Sequence, residues 1–109
     1  MAWLGPVRLS GVVPVIRLDL LPAIPNPFNP DTMLRYDLPG QGSRYVRIEI
    51  RDVRGRLVRR LSDGERPPGR HQVRWDGRDD QGREVASGVY LVMLEAGRER
   101  RTRKVLLLR

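Results

Sequence analysis

Apolar and polar residues alternate along most of this chain, which is the pattern of strands that bury one face. The clearest run is 45–53, in which Val46, Ile48 and Ile50 alternate with charged residues. Gly88 opens a run to residue 95 that is apolar at both sets of alternate positions, and this predicts a central strand covered on both faces. Shorter strands of the same period are predicted at 33–38, 56–61, 70–75, 83–85 and 100–108.

Turn residues separate these runs. Asp52-Val53-Arg54-Gly55 predicts a hairpin turn in which Gly55 takes a positive φ. Polar breaks are predicted at 62–69 and 76–82. About seven short strands at regular spacing, in a chain with room for one core, predict an all-β antiparallel sandwich.

The first part of the chain has a different character. Three prolines interrupt the apolar runs of residues 1–23, so this stretch is predicted to be a linker or the tail of a preceding region, with at most one edge strand. The sandwich domain is predicted to span 24–109. At its start, prolines make 24–32 rigid, Phe28 is expected to plug one end of the core, and Asn26 and Asn29 are expected to bond their own backbone in turns.

Charge adds one alternative. The formal net charge is +8, and 20 of the 21 basic residues are Arg. A nucleic-acid binder would use Arg with interleaved aromatics and would show steep salt dependence. Here the Arg residues mostly alternate with apolar ones, so we interpret them as solvated strand faces and consider nucleic-acid binding the less favoured interpretation.

Several kinds of chemistry are excluded or disfavoured. With no Cys there is no disulfide, Cys-based zinc site or thiol nucleophile. No segment approaches the ~20 apolar residues of a membrane span, and the N-terminus shows no signal peptide. A Ser-His-Asp site would need His71 with Ser62 or Ser87, and neither serine lies in a nucleophile-elbow context. We therefore predict a structural His71, no catalytic residues, no cofactor and no small-molecule substrate.

Two further features have alternative explanations. The acidic loop 76–82 has carboxylates at spacings that could bind calcium, but it lacks a distal Glu and includes Arg78, so turn chemistry explains it equally well. We predict no metal site there, and calcium binding by this loop is the alternative interpretation. Trp75 ends an alternating strand and is predicted to anchor the core.

Five ordered motifs between residues 24 and 109 resemble the FlgD-type Ig-like domain. They also resemble the overlapping type A C-terminal sorting domains of the type IX secretion system. The motif residues are Pro25, Asn26, Pro27, Phe28, Asn29, Pro30, Asp52, Gly55, Trp75, Asp76, Gly77, Asp79, Gly82, Ser87, Gly88 and Tyr90.

The resemblance implies an Ig-like, fibronectin-III-like sandwich that serves as a non-catalytic C-terminal module of a secreted or cell-surface bacterial protein. It implies sorting or anchoring through type IX secretion, with secretion machinery or neighbouring domains as protein partners. The sorting signal would be Lys104, Val105, Leu106, Leu107, Leu108 and Arg109. The alternative is a structural interaction module of an extracellular assembly such as the flagellar hook cap.

Within that pattern, Gly88 is expected to permit close backbone approach, and the Tyr90 hydroxyl is expected to reach the rim. The sequence lacks the catalytic domain or rod-binding region that accompanies the module in larger proteins. We therefore interpret the chain as a fragment or short reading frame that carries only the module.

Overall fold

Two antiparallel sheets make up the computed structural model, which describes residues 16–109. Its strands are β1 (Asp19–Leu20), β2 (Thr32–Leu38), β3 (Arg44–Arg51), β4 (Leu57–Arg66), β5 (Gly69–Trp75), β6 (Gly88–Ala96) and β7 (Glu99–Leu107). One sheet has the order β1-β2-β5 and the other β4-β3-β6-β7. The predicted all-β sandwich is confirmed. Residues 16–109 include no helix long and apolar enough to span a bilayer.

The core lies between the inner faces of the two sheets. Alternate residues of β3 and β6 point inward and are buried. The facing sheet contributes Leu34, Tyr36 and Leu38 from β2 and Trp75 from β5. Burying each large apolar side chain contributes about 1.5–3 kcal/mol, so this single core is the main source of stability.

The hairpin between β3 and β4 has the predicted geometry. Gly55 has a φ of 86°. Its N–H donates to the Asp52 carbonyl at 2.9 Å, and the Asp52 N–H donates to the Arg56 carbonyl at 3.0 Å. The Asp52 carboxylate accepts bonds from the backbone N–H groups of Arg54 and Arg56, which fixes the turn.

The polar break after this hairpin is shorter than the sequence predicts. Residues 62–66 continue β4, so the prediction that this strand ends at residue 61 was wrong. A register shift between Ile48 and Glu49 lets Ser62 pair with Ile48 while Arg60 pairs with Glu49. Such a bulge hides the continuation from a strict two-residue pattern, and the break reduces to Pro67 and Pro68.

Two other strand predictions need correction. Residues 83–85 form no strand; a single bridge joins Glu84 to Arg78, and Val85 packs against the core from a loop. Strand β6 is central in its sheet, but only one face is buried. Val89 on the outer face is 41% exposed. Within the described residues, the prediction that both faces of β6 are covered was therefore wrong.

The core also includes residues upstream of 24. Leu18, Leu20 and Ala23 are buried, and β1 pairs with Tyr36 and Asp37 at the edge of the smaller sheet. The part of the predicted linker that covers residues 1–15 lies outside the described residues. The domain boundary at 24 stays a prediction.

Candidate functional site at the motif end of the sandwich

Motifs that are far apart in sequence meet at one end of the sandwich, which we call the motif end. The rings of Phe28 and Trp75 lie 5.4 Å apart, and those of Trp75 and Tyr90 lie 5.3 Å apart in an edge-to-face arrangement. The Trp75 indole N–H donates to the Arg78 carbonyl at 3.0 Å, and the Tyr90 hydroxyl donates to the Ala86 carbonyl at 2.6 Å. These contacts make Trp75 the centre of the aromatic cluster.

The proline-rich segment caps the edge of β7. The Asn26 side-chain amide accepts a bond from the Leu106 N–H at 2.9 Å and donates to the Lys104 carbonyl at 3.3 Å. The Phe28 N–H donates to the Leu106 carbonyl at 2.9 Å, and the Phe28 carbonyl accepts a bond from the Leu108 N–H at 3.0 Å. The expectation that Asn26 bonds its own backbone was wrong, because its side-chain amide bonds the backbone of the last strand instead. We call residues 26–28 the strand cap.

The far end of the same strand is held by Arg109. Its N–H donates to the Ser87 hydroxyl at 2.8 Å and its guanidinium donates to the Val85 carbonyl at 2.6 Å. The guanidinium also donates to the Gly77 carbonyl and lies 3.6 Å from the Glu84 carboxylate. The last strand is therefore fixed both along its edge and at its end.

Space at Gly77 is restricted by the same contacts. Its φ is +74°, and a Cβ there would lie 2.9 Å from an Arg109 guanidinium nitrogen and 3.1 Å from the Pro30 carbonyl. Gly77 thus permits the close approach of the proline-rich segment, the acidic loop and Arg109. At Gly88, by contrast, a Cβ would meet no atom within 4 Å, so the expected close approach at Gly88 was wrong.

The acidic loop is organised by its own hydrogen bonds. Asp79 accepts bonds from the backbone N–H groups of Gln81 and Arg83, both at 2.9 Å. The backbone bond from Arg83 is the main reason that the pKa of Asp79 is lowered. Asp76 accepts bonds from Arg59 and from the Arg78 N–H. Residues 16–109 contain no group of three or more potential metal ligands, and the carboxylates stabilise turns.

The ring of His71 contacts two neighbouring residues. Its ring stacks on Tyr36 at 5.1 Å, and its Nε2 lies 2.7 Å from the Pro67 carbonyl. The Ser87 hydroxyl accepts a bond from Arg109, and the Ser62 hydroxyl accepts one from Arg66. Neither serine hydroxyl is a partner of His71, so the structure does not bring together a Ser-His pair.

The residues of the predicted sorting signal divide into two sets. Val105 and Leu107 are buried in the core. Lys104 and Leu106 lie on the outer face, opposite Leu91 and Val89 of β6. Leu108 is 49% exposed. Arg109 is also exposed, but its guanidinium is already bonded to backbone carbonyls. The residues of the signal that a partner of the folded module can contact most freely are therefore Lys104, Leu106 and Leu108.

A charged network that the sequence did not single out lies on the outer face of the larger sheet. Glu49 is only 5% exposed, and its carboxylate lies 2.7 Å from both Arg51 and Arg60. Burial raises the pKa of Glu49, but the hydrogen bonds from Arg60 and Arg51 outweigh it and hold the pKa below its ordinary value. The alternation of Arg and Glu in β3 indicates an exposed face. The register shift places Arg60 opposite Glu49, which the sequence pattern does not predict.

Taken together, the two sheets, their order and the aromatic cluster at one end define an Ig-like β-sandwich. The model of the FlgD Ig-like domain family matches residues 31–99. The chain belongs to this family. The strand cap and residues 100–109 lie outside the matched range. No curated protein matches the chain.

Three solved structures share the fold. PorZ, a bacterial surface component of the type IX secretion system of Porphyromonas gingivalis, is 24% identical with a TM-score of 0.56 over 83% of this chain and 11% of its own. Dimeric latent PorU from Porphyromonas gingivalis is 19% identical, with a TM-score of 0.65, and the match covers 90% of this chain and 10% of PorU. FlgD from P. aeruginosa is 24% identical, with a TM-score of 0.54, and the match covers 70% of this chain and 57% of FlgD. The chain thus spans about a tenth of PorZ and PorU and just over half of FlgD.

Proposed function

We propose that this chain is a non-catalytic C-terminal module of a secreted or cell-surface bacterial protein, and that it serves sorting or anchoring through the type IX secretion system. The observation that carries the proposal is the outward presentation of Lys104, Leu106 and Leu108 on a strand that is fixed at its edge and end. A rigid surface of one basic and two apolar side chains loses little entropy when a partner binds. The fold shared with PorZ supports the proposed role in type IX secretion.

The test must separate the signal from the fold. Deleting residues 104–109 would remove Val105 and Leu107 from the core, so lost secretion would not distinguish the two roles. Replacing Lys104, Leu106 and Leu108 with Ser changes only the outer side of the strand. A matched control replaces Met33 and Arg74 with Ser, since both lie on the outer face of the smaller sheet.

Each module is fused to an exported reporter in a bacterium that has type IX secretion. We expect the wild-type and control modules to deliver the reporter to the medium or cell surface, and the triple variant to leave it in the periplasm. Far-UV circular dichroism of the purified modules checks that they are folded. Equal secretion of the folded triple variant, or retention of the wild-type fusion, would overturn the sorting role.

The second candidate is a structural interaction module like that of a hook-capping protein. The match to FlgD from P. aeruginosa favours it, because this chain covers 57% of that protein. If this candidate is correct, the module should restore motility when it replaces the Ig-like domain of a FlgD protein. Failure of that exchange, with the hybrid protein present at normal levels, would count against it.

A further inference from the structure

The edge of β7 that faces away from β6 is bonded to the strand cap over only part of its length. Over residues 104–108, four backbone groups that point away from β6 are bonded to the strand cap, namely the carbonyls of Lys104 and Leu106 and the N–H groups of Leu106 and Leu108. Backbone groups of an antiparallel strand alternate between its two sides. The cap contacts the even-numbered residues Lys104, Leu106 and Leu108, so Arg100 and Thr102 direct their N–H and C=O groups to the same side.

These upstream groups are available. Among residues 16–109, the backbone of Thr102 has no hydrogen-bond partner on this side, and the Arg100 carbonyl accepts a bond only from the adjacent Arg101 side chain at 2.9 Å. The residue after Thr102 already has a partner: the Arg103 guanidinium donates to the carbonyl of Leu20 in β1 at 2.8 Å. The open edge is therefore 99–102.

This open edge is strongly basic. Residues 98–104 contain five basic side chains and one acidic one, Glu99. The Glu99 carboxylate lies 3.4 Å from both Arg44 and Arg101, so it is already shared, and Arg100 lies 2.7 Å from Glu95. Among the described residues, Arg98, Arg103 and Lys104 have no acidic partner, and they supply the excess charge. Exposed basic residues on an edge strand oppose pairing with a second copy, because like charges would face each other. They favour an acidic partner instead.

The edges formed by β4 and β5 differ from this open edge. Part of β4 is covered by the acidic loop, since the Asp80 N–H donates to the Val58 carbonyl. On β5, Arg70 lies 2.7 Å from Asp37, and Arg74 lies 2.9 Å from Asp31, so its basic groups are neutralised. Within the described residues, the upstream part of β7 joins unpaired backbone groups to excess positive charge.

We propose that residues 99–102 bind an extended acidic segment of a partner protein, which adds as a strand to β7. Main-chain bonds to Arg100 and Thr102 would supply affinity, and carboxylates opposite Arg98, Arg101 and Lys104 would supply selectivity. This interaction uses the backbone edge at 99–102, shares only Lys104 with the outward residues of the sorting proposal, and does not depend on the sorting role.

The test uses the full chain and a short fluorescent peptide of alternating Glu and Val. We expect binding that weakens as salt rises, and at least about fivefold weaker binding of the matching Gln-Val peptide. The Thr102→Pro variant removes an outward N–H without breaking the ladder to β6. It should also bind at least about fivefold more weakly, whereas Thr102→Ala should bind like the wild type.

A second measurement leaves the protein unchanged. A Glu-Val peptide with N-methylated alternate amides keeps its charge but cannot form the main-chain bonds, so it should bind like the Gln-Val peptide or more weakly. Equal binding of the N-methylated peptide, or of Thr102→Pro, would reduce the interaction to charge alone and overturn strand addition. Slow hydrogen exchange at Thr102 in the free protein would show that residues 1–15 or a second copy already occupy the edge, and would overturn it too.

Discussion

Trp75 shows how one side chain connects several parts of this fold. Its ring is fully buried, contacts Phe28 and Tyr90, and donates a hydrogen bond to Arg78. An alternating strand that ends in Trp already predicts an inward ring. The two aromatic neighbours could not be predicted in the same way, because they come from a proline-rich segment and from another sheet.

Replacing Trp75 with Ala should lower the free energy of unfolding by about 3 to 5 kcal/mol, through lost burial and the cavity that remains. That loss is comparable with the whole stability of many small domains. Urea unfolding followed by circular dichroism measures it. The control is Val53→Ala, since Val53 is 70% exposed and should change stability by less than about 0.5 kcal/mol. A Trp75→Ala protein as stable as the control would contradict the role of the ring.

At the scale of elements, the sequence predicts strands well where one face is buried in strict alternation. In β3, Val46, Ile48 and Ile50 are buried as the alternation predicts. The rule failed in β4, where a bulge shifts the register, and at 83–85, where the chain packs against the core without pairing. It also gave no information about the strand cap, because a hydrogen bond between Asn26 and Leu106 depends on how the two ends of the domain meet.

The strand cap gives a direct prediction. Asn26→Ala removes the acceptor for the Leu106 N–H and the donor to the Lys104 carbonyl. Stability should fall by about 1 kcal/mol, as is typical for such bonds, and hydrogen exchange at Leu106 should accelerate. Asn29→Ala is the matched control from the same segment. If both variants exchange equally at Leu106, the side chain of Asn26 does not hold the edge.

At the scale of the whole molecule, the basic charge is largely balanced by local ion pairs rather than gathered into one binding face. The Asp and Glu side chains of the described part mostly lie within reach of an Arg, as in the pairs Arg47–Asp63 and Arg100–Glu95. This arrangement agrees with the interpretation of solvated strand faces. In residues 98–104, five basic side chains exceed the acidic partners Glu95 and Glu99.

The ion pairs predict acid sensitivity. The pKa of Glu49 is lowered on folding, so its contribution to stability is present above its unfolded pKa and is lost as the pH falls through the lower, folded pKa. The wild type should therefore lose stability as the pH falls below about 4.3, the ordinary pKa of a Glu carboxyl. Because Gln cannot ionise, Glu49→Gln should be less stable near neutral pH and should lose less stability on acidification.

Urea unfolding at pH 7 and pH 4 measures both effects. Glu65→Gln is the control, since Glu65 is exposed and lies on the same hairpin. It should follow the wild type at both pH values. A Glu49→Gln profile that is parallel to the wild type would show that other carboxylates govern the acid transition.

The strand cap also bears on how the domain reaches its folded state. The bond between Asn26 and Leu106 joins residues 80 positions apart. Closing a loop of that length costs more conformational entropy than closing a hairpin turn, so the contact becomes favourable only once the intervening strands hold the two ends together. Contacts between distant residues are also those that slow folding. The cap thus couples the completion of the last strand to the assembly of the whole sandwich.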